Sequence, residues 1–539
     1  MKLSLISLAA TAIAAATVLA APVQKRATDD KNVVGYWVPW DKVAVADLDM
    51  TKYTHINYGF AVLYKGASDP TTITFDRYYD GNNMRALVTR GNQYGVPILM
   101  SIGGWTGSQT FSTVAADATM RSTFINNAMV FVRNNTLPLY ADTPDGWNMD
   151  GIDIDWEYPG RAAAVCNTYA PQDAANYLTL LKELRAQMDL EFPTTHKYLT
   201  AAVRVQPFDG PNGPMTDVSA YVQYLDWISI MAYDIMGSWS NVTGPNAPFN
   251  NPDPVQAPGN AYSFVQAIQA WMSAGWPADK LVAGTAFYGR SLTASVDMDT
   301  QNPVTMYVPH SATTPKGGPS DSNDVNFYCN EGSVYSGIWE WSELRAGVLT
   351  GGPTTPASGW TRYWDDGTQT PWLFQASTNT FISYDDIQSL TVKVNYAKQV
   401  GLRGLMVWDM EYDYNNELID VVNNIHCGSS CPVVSTSPTA TTAVPTTTTT
   451  ASASKTKTTT TTTTITTVAT KTTTTAASPT STSSSGTCAG VAAWNSATVY
   501  ATAGQKVTYN GHLWTNQWWT QGETPSGAAY SVWVDGGAC

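Results

Sequence analysis

Short apolar runs alternate with stretches of helical periodicity from about residue 31 to 426. Candidate strands are Val33–Trp37, His55–Phe60, Val96–Ser101, Gly151–Glu157, Tyr198–Val203, Trp227–Ala232, Leu281–Phe287 and Gly404–Trp408. Each is short and rich in β-branched or aromatic residues. Between them lie segments such as Ala174–Met188, where Tyr177, Leu180, Leu181 and Leu184 recur at the spacing of one helix face. Eight such strands alternating with helices predict a parallel (β/α) barrel. The interval between the seventh and eighth strands is too long for a simple βα loop. It holds strand-like pieces of its own, Val334–Trp341, Trp372–Ala376 and Thr380–Tyr384, so a small α+β insertion is expected at about 291–392.

The pattern breaks near both ends. Residues 1–20 read as a secretory signal, with Lys2 ahead of an apolar Leu/Ile/Ala stretch and small residues near Ala20–Ala21. Lys25-Arg26 resembles a dibasic processing site, which makes 21–26 a candidate propeptide and 27–426 the large folded region. Residues 427–487 are expected to be a linker. From about Ser435 they are almost wholly Thr, Ser, Ala and Pro, a composition that cannot bury a core and fits an O-glycosylated stalk or a plain tether. A second compact segment follows at 488–539.

Composition narrows the function. The 539 residues carry 29 basic and 43 acidic side chains, a formal charge of −14, and only 13% are charged. That balance argues against a nucleic-acid or anionic-membrane binder, which needs clustered Lys and Arg. With 20 Trp and 28 Tyr, rings exceed ordinary core need and are suited to flat apolar ligands such as sugar faces. Six cysteines in a secreted chain suit disulfides. Cys488 and Cys539 bracket the last segment and are expected to clasp it, while the pairing of Cys166, Cys329, Cys427 and Cys431 stays open. Five scattered histidines show no zinc-like spacing, so no metal or other cofactor is expected. Asn134 and Asn241 head glycosylation sequons.

The most informative stretch is Asp150-Gly151-Ile152-Asp153-Ile154-Asp155-Trp156-Glu157. Strand alternation puts Asp153, Asp155 and Glu157 on one face. A parallel barrel strand has no solvated face, so this row must enter the lumen, where crowded carboxyls cannot all ionise. Glu157, last in the row, would stand at the C-terminal mouth, able to protonate a leaving group.

That run matches the DGxDxDxE signature of family 18 glycoside hydrolases, the chitinases and their relatives. Ser101-Ile102-Gly103-Gly104, Met231-Ala232-Tyr233-Asp234, Phe287-Tyr288-Gly289-Arg290 and Trp408 resemble further pieces of the family in the same order. The resemblance implies a TIM barrel and a substrate-assisted reaction on chitin or other N-acetylglucosamine oligosaccharides. In it Glu157 is acid and base, and Asp155 holds the acetamido N–H. Asp153 shares a proton with Asp155, and Tyr233 donates to the acetamido oxygen. Asp234, Trp408, Tyr36, Trp105, Tyr158, Met231 and Arg290 are the implied substrate-binding positions. For Tyr36 and Trp105, barrel-end packing is the competing reading, and Met231 could simply line the lumen. Asp150, Ser101, Gly103 and Gly104 are assigned structural roles.

In the last segment, Asn516-Gln517-Trp518-Trp519-Thr520-Gln521-Gly522 resembles the motif of small all-β chitin-binding modules, carbohydrate-binding families 5 and 12. It departs at its first two positions. The resemblance makes Trp518, Trp519 and Trp494 a sugar-stacking platform, with Tyr509, Trp514 and Trp533 in the core. The chain thus reads as a secreted, monomeric endochitinase. The alternatives are an endo-β-N-acetylglucosaminidase acting on N-glycans and a non-catalytic chitinase-like lectin.

Overall fold

The computed structural model describes residues 31–40, 43–75, 79–134, 146–323, 329 and 334–427, and, toward the C-terminus, 488, 490–496, 498–500, 504–516, 520–521, 524–525 and 533–539. The expected leader segments at 1–26 and nearly all of the expected linker lie outside the described residues. Contacts divide the chain into two units, 1–436 and 437–539.

Eight parallel strands form the first unit: Asn32–Trp37, His55–Leu63, Ile98–Gly103, Gly151–Asp155, Tyr198–Val203, Trp227–Ile230, Leu281–Ala286 and Gly404–Trp408. Each pairs with its neighbour in chain order, and the first pairs with both the second and the eighth, so the sheet closes on itself. Closure leaves no free edge. The helix Asp173–Glu191 buries Tyr177, Leu180, Leu181, Leu184 and Met188. Each such burial stabilises the barrel by about 1.5–3 kcal/mol, which outweighs any preference of the isolated segment.

The expected insertion is a five-stranded antiparallel sheet ordered Ile338–Glu340, Tyr288–Thr293, Thr380–Ser383, Thr370–Gln375, Thr361–Asp365. It starts at Tyr288, directly after the seventh barrel strand and earlier than the expected 291. The helix Ile387–Gln399 follows it, so the expected end at 392 falls inside a helix. A buried Lys393–Asp385 pair at the base of that helix, and a donation from Lys393 to the Ala247 carbonyl, tie the insertion to the barrel loops. Cys166, in the loop after the fourth strand, is disulfide-bonded to Cys329 of the insertion. Cys427 is also disulfide-bonded, and Cys431 lies outside the described residues.

The second unit has a three-stranded sheet of Lys506–Tyr509, His512–Asn516 and Trp533–Ala538. Asn510 and Gly511 turn between the first two with φ of 49° and 78°, the two-residue hairpin such a pair favours. Tyr500, Val507, Trp514 and Trp533 make its core, and Cys488 is bonded to Cys539.

Glycine is required where the third strand meets the acidic row. Gly103 has φ of 121°, and a Cβ there would lie 2.0 Å from the Asp155 carbonyl oxygen. Gly103→Ala is therefore expected to lower stability by about 3 kcal/mol, measured by thermal or denaturant unfolding.

Candidate functional site

The fourth strand ends at Asp155, so Glu157 stands just past it, at the mouth. Register explains the surroundings of Asp153. Ser101 and Thr200 are its direct neighbours on the strands to either side, and both hydroxyls donate to it, at 2.8 and 2.6 Å. The Tyr36 hydroxyl adds a third donation at 2.7 Å. Burial raises the Asp153 pKa, and these donations oppose the rise.

Tyr36 is 1% exposed and supports Asp153 from within the lumen, which fits the packing reading of its position. Ser101, expected only to leave space, is a hydrogen-bond donor to the acid. Among the described contacts no hydrogen bond joins Asp153 to Asp155, though the charge of Asp153 helps to raise the Asp155 pKa.

Asp155 is 3% exposed, and its Oδ1 is buried without a hydrogen-bond partner. Burial first, then the charges of Glu157 and Asp153, push its pKa well above the usual carboxylate range. Glu157 is pushed up to about 7, chiefly by burial and also by Asp234, against a hydrogen bond from Tyr158. The row can therefore hold protons near neutrality while presenting a polar atom with no protein partner. The backbone N–H of Glu157 donates to the Ser108 hydroxyl, which in turn donates to the Gly104 and Asp155 carbonyls. Asn167 bonds both the Glu157 and Trp105 carbonyls at 2.8 Å. Glu157 is thus fixed through its main chain, and its carboxyl is met by Tyr158. Asp150 accepts from the Ile98 backbone N–H, the structural part expected of it.

Across the mouth, Tyr233 lies within electrostatic reach of Asp155, Asp234 and Glu157, and burial lifts its hydroxyl pKa. Asp234 has φ of 56°, a conformation Asp tolerates better than most residues. It accepts from Tyr288 at 2.6 Å and from Arg290 at 2.7 Å. Tyr288 was not singled out from sequence, although strand alternation after Phe287 puts it on the same face as Arg290. Trp408 stacks on Phe60 at 5.7 Å and touches Tyr36 at 5.4 Å. Met231 packs in the lumen against the cluster of Tyr36, Trp227 and Met406.

Trp40, Trp105 and Trp239 are 61%, 48% and 56% exposed, too open for core packing. Trp40 stacks beside Phe60, and Arg290 covers the Trp239 ring. Trp40, Phe60 and Trp239 were missed in sequence because nothing local separates an exposed ring from a buried one.

Asn134 and Asn241 are exposed, with Asn135 and Thr136 outside the described residues. Trp494 is partly buried against Tyr509 at 5.4 Å, and Trp518 and Trp519 lie outside the described residues. Among the described residues no group of three or more His, Cys, Asp or Glu is arranged to hold a metal, and no helix is long and apolar enough to cross a membrane.

Comparison with known proteins agrees with this geometry. A chitinase-like effector of Moniliophthora roreri is 32% identical over 72% of the chain and 91% of its own length. Chitinase A1 of Niallia circulans is 29% identical over 77% of the chain and 61% of its own length. Among solved structures, the chitinase RmChi1 of Rhizomucor miehei superposes with a TM-score of 0.64 at 30% identity, covering 73% of the chain and all of its own. Residues 493–534 match the carbohydrate-binding module family 5/12. With residues 32–413 matching the model of the glycosyl hydrolases family 18, the chain belongs to that family.

Proposed function

We propose that the protein is a secreted endochitinase that cleaves β-1,4 linkages between N-acetylglucosamine units with retention of configuration. The observation that carries this is Glu157: a buried carboxyl at the barrel mouth whose pKa stands at about 7, beside an Asp155 with an uncommitted buried oxygen. A glycosidic oxygen needs a proton as its bond breaks, and an acid titrating near ambient pH supplies it most effectively.

The usual two-carboxylate scheme requires a second acid as nucleophile or base, and family 18 is a recognised exception that uses the substrate instead. In that route Glu157 protonates the leaving oxygen while the sugar's acetamido oxygen attacks its own anomeric carbon. Asp155 takes the acetamido N–H and balances the positive charge that develops. Tyr233 donates to the acetamido oxygen, fixing its line of attack. Trp408 forms the apolar floor under the distorted sugar, and Asp234, held by Tyr288 and Arg290, contacts its hydroxyls. Water activated by Glu157 then opens the oxazolinium-like intermediate. The exposed rings of Trp40, Trp105 and Trp239 extend the stacking surface along the polymer. The C-terminal module is assigned to holding the enzyme on insoluble chitin.

A binding-only protein on the same barrel is the reading that the name of the effector relative raises. It would not need a protonated carboxyl at the mouth. Glu157→Gln separates the two: release of soluble sugars from colloidal chitin should fall about a thousandfold, with oligosaccharide binding retained. No release from either protein, with oligosaccharide binding intact, would leave only the binding-only reading, and equal release from both would exclude Glu157 as the acid.

The raised Glu157 pKa also sets a stability expectation. In the unfolded chain the group ionises near 4.5, and in the folded chain near 7. The folded state therefore binds more protons between these values, and stability falls as pH rises through that window. Gln does not ionise, so Glu157→Gln should melt higher than wild type at about pH 8 and at the same temperature at about pH 4. Two activity measurements complete the test. Fully deacetylated chitosan should resist cleavage while acetylated polymer is cut, because the attacking group is the acetamide. Removing the residues after Cys431 should cut the rate on insoluble chitin severalfold while leaving soluble oligosaccharides nearly unaffected.

A further inference from the structure

Asp234 keeps its left-handed backbone, with φ of 56°, because the chain beyond it supplies the restraint. A residue other than glycine persists in that region only where its surroundings over-determine it. The Asp234 backbone N–H donates to Asn246 Oδ1 at 3.2 Å, and the next N–H, that of Ile235, donates to the Asn246 carbonyl at 2.9 Å. One residue thus receives two successive amides of the turn. Asn246 is fully buried, and its amide also bears on the Tyr288 hydroxyl. That hydroxyl is the one that donates to the Asp234 carboxylate at 2.6 Å. Main chain and side chain of Asp234 are therefore both restrained by groups that meet at Asn246.

Asn246 is placed in turn by the insertion. Its backbone N–H donates to the Ser383 hydroxyl at 2.6 Å, and Ser383 ends the strand Thr380–Ser383 opposite Arg290. The next carbonyl, that of Ala247, accepts from Lys393 at 2.7 Å. Lys393 is fully buried and paired with Asp385, two residues beyond Ser383. A charge buried in this way is tolerated only with its partners, so the carbonyl that Lys393 holds is fixed with it. Ala247 packs with Tyr288 against Tyr233 and Trp408. The end of one insertion strand thus anchors the loop that carries Asp234, and the same sheet supplies Tyr288 and Arg290.

We propose that Asn246 is a positioning residue for the reaction, through which Ser383 of the insertion sets the pose of Asp234. The inference rests on the function proposed above, in which Asp234 contacts the distorted sugar. Distortion belongs to the transition state more than to the bound ground state, so a misplaced Asp234 lowers kcat more than it raises KM. Being fully buried, Asn246 acts through Asp234 and not on the sugar itself. A residue that merely packed the loop would affect the rate whether or not Asp234 were there.

The test measures kcat and KM of the full chain on a soluble N-acetylglucosamine hexamer, with melting temperature as the check of folding. Asn246→Ala should lower kcat about thirtyfold and Ser383→Ala about fivefold, each with KM within about twofold of wild type. In an Asp234→Ala background, adding either substitution should change the residual kcat by less than about twofold, because the group they position is gone. A folded Asn246→Ala or Ser383→Ala enzyme with wild-type kcat would overturn the proposal. So would the same fold-loss from Ser383→Ala with and without Asp234, a comparison that stands even where Asn246→Ala does not fold. Failure of the underlying reading has a different signature: wild type and Glu157→Gln would cleave the hexamer equally, or neither would cleave it.

Discussion

A row of acids inside a closed barrel is the constraint from which the rest of the catalytic region follows. Ionised carboxylates in a dry lumen are costly unless paired or protonated, and the chain meets that cost differently at each position. Asp153 is met by three hydroxyls from three different strands. Asp155 is left with a bare oxygen and a strongly raised pKa. Glu157 stands at the rim, with its main chain fixed and its carboxyl poised near neutrality. The gradient runs from fully satisfied at depth to proton-holding near neutrality at the mouth. It explains why the third strand must carry serine and then glycine beside the row, since one supplies a proton donor and the other cannot bear a side chain.

Much of this was legible in sequence because it obeys short periods. Alternation placed Asp153, Asp155 and Glu157 on one face, and the eight barrel strands were marked by apolar runs bounded by turns. What was not legible depends on partners distant in the chain. Tyr36 could be read from sequence as a cleft residue or as barrel-end packing, since nothing local reveals that its hydroxyl reaches Asp153, 117 positions away. Tyr288 was passed over although alternation pairs it with Arg290, because its partner Asp234 sits on another strand's loop. The hairpin at Asn510-Gly511 carries a local signal as well, a turn dipeptide between two runs that each hold an aromatic residue. The expected end of the insertion ran into the helix Ile387–Gln399, whose helical period was obscured by the preceding strand-like pieces.

The same burial that raises the Glu157 pKa works against the fold. A group that keeps its proton to about pH 7 in the native state and loses it near 4.5 when unfolded opposes folding at neutral pH. On the proposed mechanism, activity and stability therefore pull in opposite directions at one side chain, a trade-off common where a site must hold an unfavourable charge state.

The central claim is that the Glu157 carboxyl remains protonated in the folded protein until close to neutrality. Infrared difference spectroscopy between wild type and Glu157→Gln, followed over pH, reads that proton directly. The account predicts a buried carbonyl band that disappears with a midpoint at about 7. A band already lost near 4.5, the ordinary value for an exposed glutamate, would contradict it.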